Sequence, residues 1–377
     1  MLDADLAVIG AGLAGCSLIA RLRQLNWSGT IALVEAGRGP GGRTATRRRR
    51  DRPQWRLDHG APGFHLDDPL PEGLKALLAP LRENGCLRRA EGTVVTLAMD
   101  GSISRAGGAA DVEWLEGQPF MASICEALLA MGEGASTQHF GRRIRALQRD
   151  GNHWCLSEEG SDWQLRASRL VLSGSLLAHP RSLAMLDWRQ VPLREAVPAG
   201  QDPDLDQALD ALAQTRADVR WNLMLDLPLN GDQLPRQIWL TPEAQAHWRV
   251  ERLVLQPQAD NRTGLVMHGL DSGEPITPQT QPVLLKQEEA RLRELLQQLL
   301  KPWPDLQGAC EAAESLGVMR WGASRPLDHP LPQSLQWCDA SALGFCGDYV
   351  EGPGFGRAEG ALRSAVNLAQ ILVTQAA

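Results

Sequence analysis

The sequence predicts an α/β protein of two domains, and three observations carry the prediction. The apolar run Leu6–Ile9 ends in Gly10-Ala-Gly-Leu-Ala-Gly15 and leads directly into a helical stretch. A second run, Thr30–Glu35, closes on an acid 20 residues after Gly15. Near the far end Leu343–Cys346 and Arg357–Val373 repeat the order of strand then helix. Such alternation is the pattern of a parallel sheet with helices on its faces, here a Rossmann-like one. A length of 377 residues accommodates that domain and a second.

Each element has a local reason. Leu6–Ile9 is short and wholly apolar, the mark of a buried strand, and a helix follows from Leu13 to Leu25. Thr30–Glu35 is the second strand, and residues 38–60, dense in Gly and Arg, are expected as loop. Glu72–Arg82 and Phe120–Met131 carry apolar residues at helical spacing. Segments near 137–147, 152–158 and 165–172 read as strands, as do Val219–Leu227, Gln237–Leu240, Arg252–Gln256 and Gly264–Gly269. Gln281–Leu300 is a strongly amphipathic helix. Asp202–Pro203, Pro275–Pro282 and Pro326–Pro332 are expected as crossings between domains. The expected boundaries are 1–66, 118–176 and 335–377 for a discontinuous dinucleotide-binding domain, with 67–117 and 177–334 as the substrate domain.

The charge balance narrows the function. With 38 Lys+Arg against 45 Asp+Glu the formal charge is −7, which leaves no broad basic field for nucleic acid. Yet eight arginines lie from Arg38 to Arg56, around Gly39-Pro-Gly-Gly-Arg-Thr-Ala-Thr-Arg-Arg-Arg-Arg50. The seven cysteines are scattered without a CxxC spacing, which fits free thiols in a reducing compartment and no zinc site. The first residues lack a basic n-region, and no apolar run reaches the roughly 18 residues of a membrane span. The expectation is a cytoplasmic protein with a small-molecule substrate and no membrane or nucleic-acid partner.

The glycine pattern points to a dinucleotide. Gly10 permits the tight turn, Gly12 lets a pyrophosphate approach the backbone, and Gly15 lets the helix pack closely. The helix start at Leu13 and Ala14 then offers unpaired N–H groups to the phosphate. Glu35, with Ala36 beside it, is positioned to accept from ribose hydroxyls. Gly41-Gly42-Arg43 is more than an NAD site needs. Its arginine offers a planar fork of donors to a phosphate or to a flavin edge, which turns the reading toward FAD. Gly347-Asp348 ends the last strand, with Asp348 an acceptor for a ribityl hydroxyl. Glu359-Gly360-Ala361 opens the last helix, whose N–H groups would donate to the anionic edge of a reduced flavin. Cys346 sits in no attachment motif, so the expected FAD is non-covalent.

Together these pieces resemble the flavin-containing amine oxidase superfamily and, within it, the renalase group. Gly41-Gly-Arg-Thr-Ala-Thr-Arg-Arg48 followed by Leu57-Asp-His-Gly-Ala61 is similar to the group's GGRxxTRR…DHGA signature. Trp221–Leu225, Leu265–His268 and Arg320-Trp321 resemble its central segments, and Gly347-Asp348 with Glu359–Ala361 its C-terminal flavin motif. The likeness is tight over residues 5–65 and 340–373 and loose between them. It implies a GR2-type FAD-binding domain joined to a substrate domain built on a mixed β-sheet. It adds Gly60 and Ala61 to the cofactor contacts and places Ile144 at the adenine through main chain. The implied activity is hydride transfer from a small reduced substrate, a dihydronicotinamide dinucleotide isomer in the renalase group, to flavin N5, with O₂ or another acceptor taking the electrons. FAD-dependent amine oxidation and a non-catalytic flavoprotein sensor or binding module are the alternatives.

Single residues bear on that choice. Many amine oxidases keep a lysine near the flavin, but Lys75, Lys286 and Lys301 all have surface readings, and the sole tyrosine is Tyr349. His268 ends an apolar strand of the substrate half and is the candidate catalytic residue, able to bind a carbonyl or exchange a proton; a core histidine is the alternative reading. His59 reads as structural, and no paired His or Cys spacing supports a metal. Arg43 is expected at the cofactor, and Arg47 and Arg48 near the pyrophosphate or bracing the loop. Arg49, Arg50 and Arg52 are expected on a solvated face that attracts an anionic substrate.

Overall fold

The computed structural model describes residues 2–105, 113–132, 134, 136–158, 160–271, 273 and 276–375. Among the described residues two large sheets carry the fold, one of eight strands and one of seven. The parallel centre of the first runs, in spatial order, Leu343–Phe345, Gln164–Leu172, Leu2–Ile9, Ile31–Glu35 and Ser136–Phe140. The antiparallel pair Ile144–Asp150 and His153–Glu158 extends it past the first half of Gln164–Leu172. Both faces of the centre are covered, which is why its strands read as unbroken apolar runs. On one face, helices Leu13–Gln24, Glu72–Glu83, Ala122–Ala130 and Ala358–Thr374 bury Ile19, Leu77, Leu128 and Leu368 in one core with Leu6 and Val8. On the other, Leu193, Leu205 and Leu212 share a core with Ala7 and Val34.

The second sheet runs Glu314–Pro326, Ala217–Leu227, Thr263–Leu270, Val250–Pro257, Gln237–Leu240, Val94–Leu97 and Ile103–Arg105. Only the pairing of Gln237–Leu240 with Val94–Leu97 is parallel, so the sheet is mixed, as expected. Strand alternation divides its residues between two faces. Leu223, Leu225, Leu265 and Met267 lie under the helix Gln281–Leu299, packed with Leu292 and Leu296. Met224, Val254 and Val266 lie on the opposite face and meet Trp55 and Leu57 of the arginine-rich stretch.

Several segments depart from expectation for identifiable reasons. The stretch 137–147 is two strands, because Gly141 at φ +71° turns the chain between them. The 38–60 loop holds a small hairpin, Thr46–Arg48 against Arg56–Asp58. Asp202–Pro203 is a helix start rather than a crossing: the Asp202 carboxylate accepts from the N–H groups of Asp204 and Leu205, both at 3.1 Å, and Pro203 sits in the first turn of Pro203–Gln214. Residues 177–212 therefore pack with the first sheet, past the expected boundary at 176. Pro282 likewise lies in the first turn of a helix, and Pro275 lies outside the described residues. Pro326 does end a strand of the second sheet, and Leu331 bridges to Val350 beside the first. Glu314–Pro326 escapes the sequence reading because it is a half-buried edge strand with glycines at 317 and 322 and no clean alternation. Among the described residues no helix is long and apolar enough to cross a membrane.

Candidate functional site

Glycine turns converge at the C-terminal ends of the parallel strands. Gly10 has φ +105°, and the Ser173 hydroxyl at the end of the neighbouring strand reaches the carbonyls of Ile9 and Gly10 at 3.0 and 2.8 Å. A Cβ on Gly15 would overlap the Gly10 carbonyl oxygen, so strand–helix packing itself demands that glycine. Gly12 differs. A Cβ there would meet only Gly42 Cα at 3.8 Å and Gly41 O at 4.0 Å. A methyl group at Gly12 would therefore make only ordinary contacts, at the residue that caps the helix start. That start has no side-chain cap and no acid in its first turn, so the N–H groups at Leu13 and Ala14 have no side-chain acceptor. Glu35 accepts from the N–H of Ala11 at 2.8 Å and of Gly37 at 2.5 Å, one bond per oxygen, which leaves each oxygen a second acceptor position. Ala36 beside it is exposed.

The second turn locks onto the first. Gly41 donates to the Ala11 carbonyl at 2.8 Å, and Gly41 and Gly42 take φ of +136° and +54°. The Arg43 carbonyl accepts from Ala61 at 2.9 Å, and a Cβ on Gly60 would overlap that same oxygen. The Arg43 guanidinium makes two bonds of 2.6 Å to the Asp348 carboxylate and one of 3.1 Å to the Ser324 carbonyl. Two side chains expected to meet a cofactor separately thus meet each other. Arg181, which no local pattern in the sequence singles out, comes to the same place. Burial, then the Arg43 charge, push its pKa down to about 10, with Asp348 opposing. Two guanidiniums against one carboxylate leave positive charge beside the glycine turns.

The tip of the last helix is organised differently from expectation. Gly360 gives its N–H to the Gly354 carbonyl at 3.1 Å, and Ala361 gives its own to Arg357 at 3.3 Å. Glu359 is fully buried between Arg357 at 3.0 Å and Arg363 at 2.8 Å. The segment 352–356 folds back over the helix start, with Gly356 donating to the Asp348 carbonyl at 2.8 Å, and occupies the Gly360 donor, while the Ala361 donor closes the first turn of the helix itself. Gly347 and Asp348 stay with the turns, since Cys346 donates to Leu172 at 3.1 Å. Tyr349 is buried with its hydroxyl on the Leu172 carbonyl at 2.9 Å. Ile144 is a core residue packed with Ala32 and Val34. The main chain beside Glu35 is that of Gly141 and Arg142, which donate to Gly37 at 2.8 Å and to Glu35 at 2.9 Å.

The arginine run faces carboxylates. Arg49 is only 9% exposed and pairs with Asp51, with Glu314 at 2.7 Å and with Asp226 at 3.1 Å. Arg52 and Arg262 reach the same fully buried Asp226 at 2.6 and 2.8 Å. Arg49 and Arg52 are therefore not a solvated face; they fasten the loop to the second sheet. Their partner lies some 175 positions away in sequence, where local reading cannot find it. Arg48 braces on Glu126, Arg47 is half-buried, and Arg38 and Arg50 are exposed.

His59 fastens the loop after Arg56–Asp58 to the second sheet. Its carbonyl accepts from Asn222 Nδ2 at 2.8 Å and Trp321 Nε1 at 3.3 Å, and its ring stacks on Trp321 with centroids 5.5 Å apart. Asn222 is the register partner of His268, which in turn faces Arg252. Burial, then the charges of Arg252 and Arg220, hold the His268 pKa well below the ordinary value, so its ring is neutral. Burial brings His59 down to about 4. Among the described residues His59 Nδ1, Asn222 Oδ1, Arg252 Nε and His268 Nε2 are buried without a hydrogen-bond partner. Each such atom costs on the order of 1–3 kcal/mol if left unpaired; three of them, on Asn222, His268 and Arg252, lie across one row of the second sheet, with His59 on the loop packed against it. All three lysines are exposed.

Residues 8–79 match the NAD(P)-binding Rossmann-like domain family. No curated protein matches the chain. Among solved structures the chain is similar to a double mutant of putrescine oxidase, at 14% identity over 99% of each chain with a TM-score of 0.65. It is also similar to cyclohexylamine oxidase from Brevibacterium oxydans, at 14% identity over 99% of each chain and 0.64. An oxidoreductase from Methanosarcina mazei matches at 13% identity over 98% of this chain and 100% of that one, with a TM-score of 0.61. Likeness at such identities is one of fold: the chain is a mixed α/β protein with a Rossmann-like domain, in the fold of these amine oxidases.

Proposed function

We propose that the chain binds FAD non-covalently and is an oxidoreductase of the renalase kind, taking a hydride from a small reduced substrate, with O₂ or another acceptor removing the electrons. The observation that carries this reading is the open space at Gly12, in front of an uncapped helix start and flanked by Glu35 and by Arg43, Asp348 and Arg181. The N–H groups at Leu13, Ala14 and Gly15 with Arg43 and Arg181 would hold the pyrophosphate, and Glu35 the ribose. Gly41, Gly42, Gly60 and Ala61 let main chain approach. Bound FAD would supply the two-electron acceptor. His268, neutral and unpaired at Nε2, and Asn222 at Oδ1 would align the substrate carbon that gives up the hydride, and the stacked His59–Trp321 pair would keep water out. A dihydronicotinamide dinucleotide isomer, an anionic reduced substrate, suits the positive charge here.

The likeness to putrescine and cyclohexylamine oxidases supports amine oxidation as the second reading. Three exposed lysines and guanidiniums beside His268 weigh against a cationic substrate. Purified protein is expected yellow, with the flavin released to the supernatant by acid precipitation. Colourless protein that takes up no added FAD ends the reading. Anaerobic flavin bleaching with dihydronicotinamide isomers, NADH, NADPH and amines then separates the activities; bleaching by an amine alone promotes the second.

A further inference from the structure

We propose that the face of the second sheet around Arg252 binds an anionic group of the substrate, a carboxylate or a phosphate. The inference rests on the oxidoreductase reading only for what the rest of the substrate does. Arg252 lies on the strand Val250–Pro257 and is 9% exposed. Its guanidinium stacks on Trp239, 4.5 Å from the ring centroid, which fixes the plane of its donors. Its nearest carboxylate, Glu251, stands 3.7 Å away, beyond hydrogen-bond reach, and its Nε has no partner among the described residues. The acids at this edge are committed elsewhere. Arg220 holds Asp218 at 2.7 Å and Glu251 at 3.1 Å, and Arg325 stands 3.6 Å from Asp218. Three guanidiniums share two carboxylates; Arg325 and Arg252 both lack a hydrogen-bonded acid, but the Arg325 side chain is half exposed to water whereas Arg252 is buried.

A buried cation left in that state lowers stability unless something completes it. A protein needing only a packed sheet would place an apolar residue there. The second observation is independent of charge: Asn222 Oδ1 and His268 Nε2, across the same register row, are also buried and unpaired. The row therefore offers a fixed fork of donors for an anion, with two neutral polar atoms beside it for the group the anion carries. An amine cation would meet Arg252 and Arg220 with the wrong sign, so this site selects against the substrate class of the second reading.

The test is a tryptophan-fluorescence titration of the purified protein, FAD content recorded, with benzoate, phenyl phosphate, benzamide and benzylamine. One or both anions are expected to bind at least tenfold more tightly than benzamide, with benzylamine weakest; the order of benzoate and phenyl phosphate tells carboxylate from phosphate. Arg252→Met should weaken the anion at least tenfold and raise the melting temperature, because it removes a buried charge whose only close carboxylate, Glu251, is shared with Arg220 and out of hydrogen-bond reach. If that variant does not fold, Arg252→Gln supplies the binding comparison. Benzamide binding as well as the anions, or variants that bind anions unchanged, overturns the proposal. A lower melting temperature with unchanged binding assigns Arg252 to packing and also overturns it. Colourless protein with the anion preference intact ends the FAD reading alone, and flavin-loaded protein without that preference ends this proposal alone.

Discussion

Arg43 and Asp348 stand 305 residues apart in the chain and meet through two hydrogen bonds of 2.6 Å. The turn after the second strand is thereby fastened to the turn after the last one, so the two ends of the chain complete one surface. The carboxylate is 6% exposed and the guanidinium 39%, so solvent screens one side of the pair. Asp348→Asn should destabilise the protein by about 1–2 kcal/mol, below the cost of breaking a fully buried pair. A double-mutant cycle with Arg43→Gln, read from urea midpoints, checks it, and additive effects would mean the pair carries no coupling.

Asp226 predicts a larger effect. It is fully buried and faces Arg49, Arg52 and Arg262 at 3.1, 2.6 and 2.8 Å. Asp226→Asn leaves three guanidiniums around a neutral amide and should cost about 3–5 kcal/mol, the range for an orphaned buried charge. Equilibrium unfolding in urea measures it; a loss under about 1 kcal/mol would mean the network is a weak surface cluster.

The two glycines of the first turn should separate fold from cofactor. A Cβ at Gly12 meets protein atoms only at ordinary contact distance, so the Gly12→Ala apoprotein should keep its melting temperature, and Gly12→Val, which fills the space further, should lose FAD uptake. Gly15→Val drives a side chain into the Gly10 carbonyl and should abolish folded protein. Retained FAD in Gly12→Val would remove this loop from the cofactor site.

His179 should make the fold acid-sensitive. Its Nδ1 accepts from the Arg181 N–H at 2.9 Å and its Nε2 donates to the Thr215 carbonyl at 2.8 Å, an arrangement only the neutral ring satisfies. Burial, then the Arg181 charge, bring its pKa down to about 4 from 6.5. The unfolded chain takes a proton below 6.5 and the folded one only near 4, so stability is full above 6.5 and falls as the pH drops through that window, by about 3 kcal/mol at most. The stability gap between wild type and His179→Gln should therefore shrink from pH 7.5 to pH 5. A gap constant with pH would show that the ring carries no such linkage.

His268→Ala should leave FAD content and the flavin spectrum intact and slow anaerobic bleaching about tenfold or more, some 1.4 kcal/mol of barrier. If the ring serves only the core, the melting temperature falls and the bleaching rate of the folded fraction stays unchanged. Both quantities are read on one preparation.

What the sequence determined by itself is the local chemistry at the strand ends. Gly10 and Gly12 precede one helix, Gly15 lies in its first turn and Glu35 ends the strand that follows it, and a buried strand, a turn and a helix start leave marks within a few residues of one another. Four strands of the seven-stranded sheet were legible for the same reason, since alternation is local; the half-buried edge Glu314–Pro326 and the short strands Val94–Leu97 and Ile103–Arg105 at the other end were not. Tertiary structure alone decided the partners of the charges. Arg49 and Arg52 read as solvent-facing until folding brings Asp226 to them, and Arg43 and Asp348 read as two cofactor contacts until they meet. The helix-tip donor at Gly360 is taken by the segment folded over it, and that at Ala361 by the helix's own first carbonyl at Arg357. Arg252 has no motif at all; what distinguishes it is the carboxylates already spent on Arg220. Glycine turns are dictated by backbone geometry within a few residues, whereas a charge is defined by whichever opposite charge the completed fold brings within a few ångströms.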